Sequence, residues 1–469
     1  MLKLRTVAIL GGVSLLLGGC TSPNLILSYP YRTEEVRVAI QEGRPAEGLS
    51  DLEKHEDSAD AVLYFEEGGR VAHFSGNTAL SKEKYEAAYQ LNKEAWAQPV
   101  LAPSEVVGYV GATIVNDNAI PYEAPGYEHI FVSTFQIFNY LDSGDLEGAA
   151  VEARRAGNAQ REAFHRYRDE IEKAKSDAKS QTIDLSQSSG FQNALTSMRE
   201  SSSKVENSFQ NAYSFYLAAL IWERLGERDN AFVDYKQALD IFPENHYLAY
   251  NAIRLAREQK RFSDFSELKS RYKNAPSLET PKNAGRLVVA IESGFVPPKR
   301  EIYIPIFWTD RTYTVALPYY TPEEDYLYQE MDVFVQGTRV GSTEPVCWVR
   351  DLAVKALVER YPGIALRQVL RLVVKDQIQR QAQKQDDTFG LIMGIASMLS
   401  EQADKRSWLT LPEVIQIADF WMEPGMHRVS LGGLGVLGSF DVPIEAGKLT
   451  VLRVLQPGGH VYANTIGPL

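Results

Sequence analysis

Between Asn116 and His129 the chain reads NDNAIPYEAPGYEH, its densest run of groups able to exchange protons or hydrogen bonds. Asp117, Tyr122, Glu123, Tyr127 and Glu128 could meet a ligand or a protein partner there. A cleft bringing Asp117, Glu123 and Glu128 to His129 would have the acids and base of a hydrolase. Asn, Asp and Pro are equally what tight turns require. The expectation is a long ordered loop lying over a groove. The alternating carboxylates of a calcium loop are missing. No HExxH, G-x-S-x-G, P-loop or paired CxxC occurs elsewhere. The seven histidines are scattered without metal-ligand spacing. These residues predict a protein that is not an enzyme and uses no cofactor and no metal. A cryptic hydrolase is the remote alternative.

The two cysteines, Cys20 and Cys347, exclude a disulfide framework. Lys3 and Arg5 precede an apolar run, Val7 to Leu17, too short to span a bilayer. Leu17-Gly18-Gly19-Cys20 closes it and resembles the bacterial lipobox. That resemblance implies cleavage of residues 1–19, lipidation of Cys20 and a membrane partner held through acyl chains, with a tether over 20–30. Several acyl chains anchor a protein stably, at about 0.8 kcal/mol per buried methylene. Thr21 follows the cysteine where Asp is absent, which by resemblance to sorting signals implies the outer membrane, facing the periplasm. Cys347 is then left without a partner and is expected to be buried and inert.

The whole chain of 469 residues carries a net charge of -12, which argues against a nucleic-acid partner. Apolar spacing is helical over 31–275, with inserts at 98–127 and 160–211. From 284 to 469 short β-branched and aromatic runs alternate with turns, interrupted by a helical insert over 347–407. The expected class is α+β: an N-terminal helical tetratricopeptide-like repeat domain, then a β-sandwich-like C-terminal domain. Pro276 and Pro281 mark the junction.

The helical half repeats with a period near 34 residues. In the clearest copy Phe215, Ala218, Ala219 and Trp222 lie on a first helix, Gly226 in the turn, and Ala231, Tyr235 and Ala238 on a second helix stopped by Pro243. Alanines let the helices approach, and glycine suits a left-handed turn. Tyr140, Gly144, Asp145, Ala149, Ala153 and Ala156 form a second copy. Gly69, Gly76, Tyr85 and Ala88 belong to a third, and His246 to Tyr272 to a fourth without the small residues. The charged part of the second insert is expected to project into solvent.

Leu366, Val369, Leu370, Val373 and Val374 share a helical face with basic residues largely elsewhere, as in a helix packed on its own domain or, less expectedly, one lying on a membrane. Phe389 to Leu399 is apolar nearly all round and expected to be a buried helix. Trp408 and Trp421 are core residues or, less expectedly, a glycan-stacking surface.

DAVLYFEEGGRVAHFSGN, VNDNAIPYEAPGYEHIFV, NYLDSGDLEGAAVEARRAGNAQ, ESGFVPPKREIYIPI and RSWLTLPEVIQIADFWMEPGMHRVSL, taken with the lipobox, resemble a family of proteobacterial outer-membrane lipoproteins with tetratricopeptide-like repeats. Its members look like companions of lipoproteins that activate peptidoglycan synthases. The resemblance implies no catalytic residue. It implies a lipid-anchored scaffold in envelope biogenesis, with protein partners held by the first-helix groove of the repeats. A peptidoglycan- or glycan-binding lipoprotein is the alternative.

Overall fold

The computed structural model describes residues 27–109, 117–181, 185–273, 283–308, 311–322, 329–383, 402–432 and 436–469. Cys20, residues 274–282 of the expected junction and the apolar run Phe389–Leu399 lie outside the described residues.

The helices are α1 (Tyr29–Gln41), α2 (Leu49–Glu53), α3 (Ala61–Phe74), α4 (Thr78–Trp96), α5 (Pro103–Tyr109), α6 (Gly126–Asp142), α7 (Leu146–Gln181), α8 (Ser189–Ser201), α9 (Ala212–Arg224), α10 (Arg228–Ile241), α11 (His246–Glu258) and α12 (Phe262–Arg271). A long α13 (Val349–Gln383) interrupts the strands. Four hairpins follow one pattern: α3/α4, α6/α7, α9/α10 and α11/α12. Each first helix ends in a left-handed residue: Gly76, Gly144, Gly226 and, in the fourth, Lys260. The next amide reaches back five residues in every case, from Asn77 to Ala72, Asp145 to Tyr140, Glu227 to Trp222 and Arg261 to Ala256. That bond satisfies an orphan carbonyl and reverses the chain. Close packing then depends on small residues. A Cβ on Gly69 would lie 2.3 Å from the Tyr85 ring. Ala149, Ala156, Ala219, Ala231 and Ala238 are fully buried, with Tyr235 and Trp222 filling the gaps beside them. Phe215 is partly buried, and Pro243 lies two residues past the end of α10.

The C-terminal half is two stacked sheets and a hairpin. The first sheet has the order β11-β10-β1-β7-β6 and the second β5-β4-β8-β9. The strands are β1 (Gly285–Ser293), β4 (Asp332–Val335), β5 (Thr338–Ser342), β6 (Glu344–Trp348), β7 (Val414–Met422), β8 (Gly425–Gly432), β9 (Val436–Ile444), β10 (Leu449–Gln456) and β11 (Tyr462–Ile466). β2 (Arg300–Trp308) and β3 (Arg311–Tyr319) pair separately. β1 runs parallel to β10 and antiparallel to β7. Successive side chains of a strand face opposite ways. Leu287, Val289 and Ile291 therefore join Val333, Val429, Leu431 and Val442 between the sheets. Val288 and Ala290 join the helical core on the other face. The first sheet is covered on both sides, which is why β1 reads as an almost unbroken apolar run.

Two expectations are corrected. The charged half of the second insert does not project into solvent. It continues α7, which lies against α13: Glu170 accepts from Arg360 Nε at 2.9 Å, and a Cβ on Gly363 would sit 3.5 Å from Ala174. Small residues and a charge pair on facing helices bring them together. The span 347–407 is also not helical throughout. Cys347 and Trp348 complete β6, paired with Ile415 and Val414. Residues 402–407 have no regular structure, and from Trp408 the backbone amides bond to carboxylates instead of to the chain's own carbonyls.

Candidate functional site

The first helices of a repeat array line its groove, and here the groove is full. Helix α3 carries Glu66, Glu67 and Arg70, all at most 1% exposed. Glu67 accepts from the amides of Leu409 (2.7 Å) and Thr410 (3.2 Å), from the Thr410 hydroxyl and from the Tyr29 hydroxyl of α1 (3.1 Å). On α6, Glu128 accepts from the Trp408 amide at 3.0 Å. The Trp408 ring packs between Tyr85 and Phe135, with centroids 5.9 and 5.8 Å away. Arg406 reaches Asp60 and the carbonyls of Asp117 and Ile120. A strap, Arg406–Leu411, irregular to Trp408 and turning at Leu409–Thr410, thus lies on the first two repeats, with Arg70 donating to the Thr410 carbonyl at 3.2 Å.

The remaining groove is covered by the sheet. Arg70 and Arg453 hold opposite oxygens of Glu292 at 2.8 and 2.7 Å, and their guanidiniums lie over Phe135 and Phe138. On α9, Tyr216 donates to Asp419 (3.0 Å), and Glu223 accepts from Arg286 and Arg254 (2.7 Å each). On α11, Asn251 donates to Asp419 (2.8 Å) and Tyr247 to the Ser342 carbonyl (2.6 Å). Arg286 binds both Asp419 oxygens. Two cations and two anions are enclosed and paired with one another, Arg254 Nε alone among their polar atoms being left without a partner, and this pairing makes burying them tolerable. The sequence expectation of a first-helix groove open to a partner is corrected: the chain's own sheet and strap occupy it.

The polar loop has the same fate. Asp117 is 2% exposed and held by Arg367, Arg371 and Gln368 of α13. Burial pushes its carboxyl up, but the two arginines more than reverse this and keep it well below the ordinary range. Tyr122 and Tyr127 both donate to Glu128, at 2.6 and 2.7 Å, and all three are buried. Glu123 is one-third exposed and binds Arg166. It borders a cleft of about 30 Å³ beside Trp96, Glu170, Glu359 and Arg360, room for about one water. His129 lies 4.7 Å from Trp96 by ring centroids, and burial lowers its pKa to about 4. Asp117, Glu123 and Glu128 each keep separate partners and His129, among the described residues, meets only the rings of Tyr89 and Trp96, its Nδ1 buried without a hydrogen bond, so no bond joins these four into an acid–base set. Its offer of hydrogen bonds to a ligand is corrected, because the bonds of Asp117, Tyr122, Tyr127 and Glu128 are made within the chain.

Sequence reasoning missed Glu66, Glu67, Arg70, Arg286, Glu292, Asp419 and Arg453. The signal was present: charged residues inside apolar runs such as VIQIADFWM. Burial raises Glu67 to about 7 despite its donors, and it raises Glu66 as well, with Glu128 as a second cause. Cys347 is buried and free, and burial pushes its thiol up. Trp408 is buried; Trp421 is half-buried, with Arg254 and Arg286 over its ring. Among the described residues no group of three or more His, Cys, Asp or Glu could hold a metal, and no helix is long and apolar enough to cross a membrane.

No protein-family model and no curated protein matches the chain. A solved structure of MamA AMB-1 is similar at 12% identity over 52% of this chain and 88% of that one, with a TM-score of 0.26, too low to carry an argument.

Proposed function

We propose that this protein is a lipid-anchored adaptor of the bacterial envelope, without catalytic activity, that meets protein partners through its outer surfaces. The observation that carries this reading is the welding of three of the four helical hairpins to a β-sandwich by buried charge networks, Arg70–Glu292–Arg453 and Arg286–Asp419–Glu223–Arg254. A repeat array filled in this way is a rigid body presenting its second helices and its sandwich. Large exposed apolar side chains stand on those surfaces: Val233 on α10, Phe262 on α12, Tyr303 on β2 and Met426 on β8. The lipobox at Leu17–Cys20 supports anchoring, and the absence of Asp at residue 21 supports the outer membrane. Envelope biogenesis as the process rests on the family resemblance alone.

Two experiments test the reading. Cells supplied with labelled palmitate should label the protein and leave its Cys20→Ala variant unlabelled; absence of label on the unaltered chain would contradict the anchor. Photo-crosslinkers at positions 233, 262, 303 and 426 should yield one or two discrete protein adducts in cells. No adduct from any of the four, with the protein folded and anchored, would contradict the adaptor.

A further inference from the structure

The strap Arg406–Leu411 sits in the groove as a bound peptide would. Its backbone is read at three successive residues, the amides of Trp408, Leu409 and Thr410, by two helix carboxylates, Glu128 and Glu67. Arg70 reads the Thr410 carbonyl. Two side chains anchor it. Arg406 enters a polar socket made by Asp60 and two loop carbonyls, and Trp408 fills an aromatic slot between Tyr85 and Phe135. Main-chain recognition with pockets for particular side chains is how proteins bind extended peptides. The strap's own side-chain bond, Trp408 Nε1 to Thr410 Oγ1 at 3.1 Å, pre-shapes it.

We propose that the groove of the first two repeats is a peptide-binding site whose resident ligand is the chain's own strap. Its ligand class is a short segment carrying Arg-x-Trp-x-Thr that turns after the Trp, and a peptide of that chemistry binds in trans when the strap is withdrawn. The strap itself defines the occupant, since it is the sequence seated there. Glu67 also holds Tyr29 of α1, so the occupied site shares one carboxylate with the helix that follows the tether. The proposal is independent of the adaptor reading: loss of anchoring or of outer-surface partners leaves it unchanged.

The test uses a fluorescein-labelled peptide with the sequence of residues 404–411 and the full chain carrying Arg406→Ala and Trp408→Ala, which empties both sockets. Fluorescence anisotropy should show saturable binding to this variant and none to the unaltered chain. Replacing Arg or Trp in the peptide by Ala should weaken binding at least tenfold. A variant with unaltered circular dichroism and elution volume that binds no labelled peptide would overturn the proposal. Should the double variant fail to fold, a protease site placed between residues 384 and 401 of the unaltered sequence supplies a second measurement. The cut, still-folded chain should capture the peptide and the uncut chain should not; equal signals from the two would overturn the proposal.

Discussion

Lys260 is the residue at which one hairpin departs from its siblings. Three first helices end on glycine at φ +67°, +73° and +79°, and the fourth ends on lysine at +58°. The left-handed region costs an L-residue roughly 1–2 kcal/mol, partly offset in a glycine variant by the entropy glycine loses on folding. Lys260→Gly should therefore stabilise the protein by about 0.5–1 kcal/mol, and Gly226→Ala should destabilise it by about 1 kcal/mol. Urea denaturation of the two variants checks both signs. Trp408 sets a larger effect. It is fully buried, and Trp408→Ala leaves a cavity between two aromatic rings. The expected loss is about 3–5 kcal/mol, from the same titration. A loss below about 1 kcal/mol would mean the strap is not packed as described.

At the scale of elements, the join between sheet and helices is electrostatic as well as apolar. Arg286 on β1 binds Asp419 on β7 and Glu223 on α9. Removing one partner of a buried set leaves an uncompensated charge, whereas replacing charges together with apolar groups of similar volume can be nearly neutral. Arg286→Met should cost about 3–5 kcal/mol, and replacing the rest of the set with it, by Asp419→Leu, Glu223→Leu and Arg254→Met, should recover much of it. A quadruple variant no more stable than the single one would contradict this. The hairpins were legible in the sequence because their signals are local: Gly76, Gly144 and Gly226 in the turns, alanines at fixed offsets, Pro243 as a stop. The short β-branched and aromatic runs set between turns gave the strands in the same way. The join was not legible, because its partners are remote. Arg70 and Glu292 are 222 positions apart, and Asn251 and Asp419 are 168 apart. The loop at Asp117–Glu128 looked available for the same reason, since the arginines that hold Asp117 come some 250 residues later. Its turn-forming residues spoke only of local geometry.

At the scale of the molecule, the buried acids make stability depend on pH. Burial raises Glu67, Glu152 and Glu359 to about 7, well above the value each has unfolded. The folded state then binds protons the unfolded state has released, so their contribution is present in full below pH ~4.5 and is lost as pH rises through 7. Burial lowers His55, His73 and His129, so their protonation in the unfolded chain as pH falls toward ~6.5 offsets part of this gain. Lowering the pH from 8 to ~6.5 should thus raise stability by about 1 kcal/mol, seen as an upward shift of Tm. In strong acid the trend reverses. Glu223, held at about 2 as Arg286 and Arg254 outweigh its burial, and Asp117 lose their stabilising charge as pH falls through their folded values. Flat stability between pH 8 and 6.5 would contradict the burial of these acids.

Whether the repeat groove is filled by its own chain is open to one direct measurement. A photo-crosslinker replaces Tyr216, which faces Asp419, and in a second strain Tyr247, which faces Ser342. After irradiation in cells, adducts are mapped by mass spectrometry. The account predicts intramolecular crosslinks to β7 and β5 and no larger species. A discrete intermolecular adduct from either position, with the protein folded, would mean that the groove is open to a partner and would contradict it.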